Sequence, residues 1–86
     1  MTTWRKELEL AFEEHDDNFE NVIDYAPKGD KWLDYYFDDY SKTIEGSSFT
    51  IWTKKRVYFP ILVDGIESVG SVARYPDEKA INHFGI

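Results

Sequence analysis

The chain is 86 residues long, 42% hydrophobic, 31% charged and 17% aromatic. That is room for one small core, in a composition too rich in aromatics for a disordered tail. Ten Lys and Arg stand against 17 Asp and Glu, a net charge of −7, which opposes binding to phosphate backbones or anionic lipid. With no cysteine, disulfides, thiol catalysis and zinc–thiolate sites are excluded.

Residues 3–15 predict an amphipathic helix. Trp4, Leu8, Ala11, Phe12 and His15 form one stripe at helical spacing, with Glu7, Glu9, Glu13 and Glu14 largely outside it. Thr2 or Thr3 supplies an N-cap. Asp16-Asp17-Asn18 interrupts the pattern, and Asp17 with Glu20 resembles a capping box opening a second, shorter helix. Its stripe is Phe19, Val22, Ile23 and Ala26, and Pro27 ends it.

Residues 31–40 (KWLDYYFDDY) fit two patterns. As a strand, Leu33, Tyr35 and Phe37 share a face; as a helix, Trp32, Tyr35, Tyr36 and Tyr40 do. Aromatic richness favours an irregular or edge strand at 32–37. Residues 41–48 are a loop. Residues 49–53 alternate as a strand, Lys54-Lys55 turns, and 56–63 (RVYFPILV) form the next. Pro60 cannot donate to a ladder, which predicts an edge position or a bulge. Asp64-Gly65 is a two-residue hairpin signal leading into 66–73. Pro76 and Gly85 bracket a short closing helix with Ala80, Ile81 and Phe84 inward.

The expected fold is therefore α+β: two N-terminal helices, a three-stranded antiparallel meander with a possible fourth strand at 32–37, and a short C-terminal helix, all in one domain over 1–86. No apolar run approaches the roughly 18 residues of a membrane span, and the opening residues lack the apolar core of a signal peptide. A soluble, cytoplasmic protein is expected.

The acid is unevenly placed. Residues 1–45 hold 13 Asp and Glu against five Lys and Arg; residues 46–86 hold four against five. Over 7–39 there are 12 acids against Lys28 and Lys31, a balance of −10. The run Glu13-Glu14-His15-Asp16-Asp17 invites a divalent-cation reading, but it lacks the Gly and the closing Glu of a calcium loop, so a solvated helix end is the stronger reading. His15 and His83 have no nucleophile motif around them and read as ordinary helix histidines. Asp34, Asp38 and Asp39 invite a glycoside-hydrolysis reading by paired carboxylates, with Trp32, Tyr35, Tyr36 and Tyr40 to stack on a sugar, but the chain has little room for a cleft. Lys54-Lys55-Arg56 reads as a charged hairpin tip. No metal and no cofactor is predicted.

The same carboxylates support a different idea. Acids on a rigid frame imitate the charge of a nucleic-acid backbone and compete for the basic channel of a nucleic-acid enzyme. Tyr and Trp between them supply interface anchors. Solubility alone is the competing explanation. The candidate partner-binding residues are Glu13, Glu14, Asp16, Asp17, Asp34, Tyr35, Tyr36, Asp38 and Asp39.

The second half carries Phe49-Thr50-Ile51-Trp52-Thr53, Arg56-Val57-Tyr58-Phe59-Pro60, Asp64-Gly65-Ile66-Glu67, Ser71-Val72-Ala73-Arg74, Pro76 and His83. This resembles the C-terminal signature of a family of small acidic bacteriophage proteins without assigned function, over roughly residues 46–85. The chain departs from it at Val63, where the family has an aromatic, and at Ala73, where it has Pro. The resemblance implies a phage or prophage origin and no catalytic residues. On structural grounds Trp52, Tyr58 and Phe59 are expected to fill a core, with Arg56, Glu67 and Arg74 in cross-strand pairs.

Together these predict a non-enzymatic phage inhibitor of a host defence complex, anti-CRISPR-like and a possible DNA mimic. Its partner would be a CRISPR effector or other nuclease with a basic groove, with no direct nucleic-acid or membrane contact. The alternatives are a phage assembly or replication accessory that self-associates as a homodimer through the aromatics of 32–40, and a small hydrolase.

Overall fold

The computed structural model describes residues 1–75. Among these residues there are one α-helix and a four-stranded antiparallel sheet. Helix α1 (Trp4–Glu14) comes first; a 3-10 turn (Phe19–Asn21) follows and leads directly into β1 (Val22–Ala26). A second 3-10 turn (Lys31–Asp34) sits in the long connection to β2 (Thr50–Thr53), after which come β3 (Arg56–Val63) and β4 (Ile66–Ala73). The strands are ordered β1-β2-β3-β4, a simple meander.

The expected fold is corrected on two counts. The segment read as a second helix is β1, and the meander has four strands. The strand anticipated at 32–37 is a 3-10 turn followed by one bridge, Phe37 to Thr2. Asn18, and not Asp17, caps the turn at Phe19, accepting from Asn21 N–H at 3.1 Å. The closing helix anticipated beyond Pro76, with His83, lies outside the described residues.

Thr3 caps α1, its hydroxyl accepting from Lys6 N–H at 3.2 Å. The helix ends in a Schellman arrangement. Asp17 N–H bonds Phe12 C=O at 2.8 Å and Asp16 N–H bonds Glu13 C=O at 3.4 Å. The residue at the left-handed position, usually glycine, is Asp16 at φ 53°. This reversal carries Asp17 inward.

α1 buries Trp4, Leu8, Ala11 and Phe12 against Ile51 and Tyr58 of the sheet, with Trp32, Leu33, Phe37 and Phe49 closing one end. Each large side chain so buried contributes about 1.5–3 kcal/mol. Phe12 meets Tyr58 edge-on at 4.8 Å, and Trp4 sits against Phe37 and Phe49 at 4.6 and 4.8 Å. One register row crosses all four strands through Tyr25, Ile51, Tyr58 and Ser71 on the helix side. The opposite face carries half-buried Trp52, Val57, Phe59, Ile61 and Val72.

Asp64-Gly65 makes the β3–β4 turn with both residues at positive φ, 52° and 77°, the type I′ geometry that matches strand twist. Pro60 lies in a strand that is interior to the sheet, at a stretch where the lack of a β2 partner makes β3 a local edge. It is tolerated there because β2 pairs with β3 only at Ile51↔Tyr58 and Trp52↔Val57, so Pro60 lies past the last β2 partner.

The charged residues of the second half also bond differently from expectation. Arg56 Nε donates to Ser71 Oγ at 2.8 Å, and Arg74 donates to the Thr53 carbonyl at 2.8 Å. Glu67, 3% exposed, accepts from the backbone N–H groups of Glu45 and Gly46 at 2.7 and 3.0 Å. It thereby pins the loop 41–48 to β4.

Candidate partner-binding surface

Helix α1 turns its apolar stripe to the sheet, so Glu9, Glu13 and Glu14 lie on the exposed side, with Asp16 just beyond its end. Asp34, Tyr35, Tyr36 and Asp38 are exposed at the other end, where Phe37 bridges to Thr2 beside the helix start. The two groups are therefore separated by the helix, about 16 Å for eleven residues. Asp39 is half-buried, and its carbonyl accepts from Glu67 N–H at 2.9 Å.

Asp17 does not join this surface. Its side chain is buried and takes four hydrogen bonds. Asn18 N–H and the Asn21 amide donate to Oδ1 at 3.0 and 2.9 Å; the Thr53 and Tyr58 hydroxyls donate to Oδ2 at 2.7 and 2.9 Å. Burial alone would raise its pKa, but these donors outweigh it and hold the carboxyl below its ordinary value. Burial, reinforced by Asp17, pushes the Tyr58 hydroxyl in the opposite direction, well above its ordinary value. This network ties the helix end to the sheet.

Two ion pairs lie among the described acids. Asp34 takes a two-pronged contact from Arg5, Nε at 2.8 Å and the second guanidinium nitrogen at 3.2 Å, and Asp24 pairs with Lys28 four residues on. The hydrogen bond from Arg5 lowers the Asp34 carboxyl, and that from Lys28 lowers Asp24. Glu9, Glu13, Glu14, Asp16, Glu20, Asp30 and Asp38 are exposed and make no ion pair among the described residues.

The sequence gives no warning of a groove beside this surface. α1 lies over β4 and the 3-10 turn at Lys31–Asp34, leaving the helix side of β1 and β2 partly uncovered. An open cavity of about 370 Å³ remains, floored by Val22, Tyr25 and Ile51 and walled by Phe19, Trp32 and Leu33, with Arg5 and Asp30 also lining it. The Trp32 wall is fixed. Its ring stacks on Phe49 at 5.3 Å, and its indole N–H donates to the carbonyls of Pro27 and Gly29, both at 3.1 Å.

Among the described residues no group of three or more His, Asp or Glu is placed to hold a metal ion, and no helix is long and apolar enough to cross a membrane. Comparison with protein-family models, with curated proteins and with solved structures finds no match to this chain.

Proposed function

We propose that this protein is a non-enzymatic, phage-encoded inhibitor. It acts in the host cytoplasm by binding a nucleic-acid-processing defence complex through its acidic surface. The observation that carries the reading is the set of exposed carboxylates that make no ion pair among the described residues, from Glu9 to Asp16 along α1 and just beyond it, and at Asp38 near its start. The net charge of −7 is of the size that keeps a small domain soluble; its concentration in residues 7–39, a balance of −10, is what favours a partner surface. Such a surface steers a basic partner and occupies the channel a nucleic-acid backbone would fill. Asp17 belongs to the fold and is not among the contacting acids.

The test is recovery of tagged protein with its partners from a bacterial lysate at low and at high salt. A parallel variant carries Glu13→Lys, Glu14→Lys, Asp16→Lys and Asp38→Lys. A nuclease or CRISPR subunit retained by the native chain at low salt, released at high salt and lost with the variant is the expected outcome. Retention that ignores the charge reversal would sink the proposal.

A second reading rests on Tyr35, Tyr36 and Tyr40, which are 64%, 74% and 67% exposed. Three tyrosines so exposed within six residues favour a protein contact, and a second copy of the chain would supply one. A native mass that stays monomeric across concentration removes this alternative.

A further inference from the structure

The groove over β1 and β2 differs from a plain apolar pocket in what its rings already hold. The Arg5 guanidinium carbon lies 5.6 Å from the Phe19 ring centroid, and Lys28 Nζ lies 5.4 Å from that of Tyr25. Both cations come from this chain, and both are balanced by their own carboxylates, Asp34 and Asp24. Asp30 remains. It lines the groove, is exposed, and its carboxylate makes no hydrogen bond or ion pair among the described residues. Although it precedes the 3-10 turn at Lys31–Asp34, its side chain makes no capping bond there. The groove thus offers aromatic walls, an aliphatic floor and one carboxylate outside any ion pair among the described residues, whose charge Arg5 feels at longer range.

That combination fits one side chain better than the others. An arginine lays its apolar stem along half-buried Val22, stacks its planar guanidinium on a ring, and keeps its charge beside a carboxylate. A purely apolar side chain would leave Asp30 unused. A lysine lacks the flat face. We propose that the groove is the seat for an arginine of the partner protein, adjoining the acidic surface along α1. The inference rests on the proposed function for the partner's basic character, and it adds the side chain that anchors it.

The experiment uses the full chain, labelled with nitrogen-15, and follows backbone and indole signals during titration. The probes are N-acetyl-arginine methylamide, the citrulline analogue (same shape, no charge) and the tryptophan analogue. Arginine is expected to move the signals of Phe19, Val22, Tyr25 and the Trp32 indole. Citrulline should bind roughly two- to fivefold more weakly, the factor a cation–π contact at an exposed site provides. Asp30→Asn should weaken arginine binding while leaving the rest of the spectrum in place.

The proposal is overturned by any of four results: citrulline binding as tightly as arginine, an unchanged Asp30→Asn, tryptophan moving the groove signals when arginine does not, or arginine moving only Glu13, Glu14 and Asp38. The two readings fail separately. A groove that seats arginine in a protein retaining no basic partner removes the proposed function alone. A partner retained as strongly by Asp30→Asn and Tyr25→Leu as by the native chain removes the groove alone.

Discussion

The Tyr58 hydroxyl donates to Asp17 Oδ2 at 2.9 Å across 41 residues of sequence, and both side chains are buried. Thr53, fully buried, donates to the same oxygen. Removing the carboxylate leaves the Tyr58 hydroxyl without its acceptor in the core and Thr53 with the Arg56 carbonyl alone, at 3.2 Å. Asp17→Ala is expected to cost about 2–4 kcal/mol, read as a fall of more than about 10 °C in Tm. The pH dependence has a fixed sign. Because the folded carboxyl sits below its ordinary value, the unfolded chain takes up the proton first on acidification. The stabilisation is present in full above the ordinary carboxylate pKa and is lost as pH falls through the folded one. Thermal melts from neutral pH down to about 3 should show this loss in the native chain and a flatter profile in Asp17→Asn.

Thr53 also holds the β2–β3 turn. Its oxygen accepts from the backbone N–H groups of Lys55 and Arg56 at 3.2 and 3.0 Å while its proton goes to Asp17. Thr53→Val keeps the shape and deletes these contacts together with the one to the Arg56 carbonyl at 3.2 Å. A loss of about 2–3 kcal/mol in denaturant unfolding is expected, with hydrogen exchange speeding first at Lys55 and Arg56.

Gly46 is fixed by crowding. A methyl group there would come 2.7 Å from the Trp4 ring and 3.1 Å from Glu67 Oε1. Both neighbours are themselves held, Trp4 by its indole N–H to the Ser47 carbonyl at 3.0 Å and Glu67 by the loop N–H groups. Gly46→Ala is expected to destabilise by about 1–3 kcal/mol. An altered Trp4 fluorescence maximum would place the disturbance at that ring.

Asp16 offers the reverse case. It holds the left-handed position that ends α1, at φ 53°, a conformation that glycine adopts without steric cost. Asp16→Gly should raise stability by up to about 1 kcal/mol, checked by the same melts. The substitution also removes one exposed acid. A partner interaction that weakens while the fold gains stability would identify Asp16 as a contact.

The α1 stripe and the three strands from Thr50 onward were legible because each runs uninterrupted at one period. β1 was not, for a specific reason. Its pairing shifts between Val22 and Asp24, with Ile23 as the extra residue of a bulge. The half-buried positions then become Val22 and Tyr25, three apart, which is helical spacing. A bulged strand therefore imitates a helix. In 31–40 the buried residues are Trp32, Leu33 and Phe37, a spacing set by packing against Trp4 and Phe49 that no local pattern encodes. Asp17 looked like its exposed neighbours because its partners Thr53 and Tyr58 are supplied by strands far along the chain. The groove has no local signature for the same reason: its lining comes from four separate segments.

The meander order bears on how quickly the chain finds its shape. β2 and β3 join through two residues, as do β3 and β4, so these pairings close at little entropic cost. β1 reaches β2 only across the long excursion 27–49, which also delivers Trp32 and Phe37 to the core. The arginine groove is built on that same late-closing seam. Stability of the β3–β4 hairpin and integrity of the groove are consequently separate quantities, and the second is the more exposed to local opening.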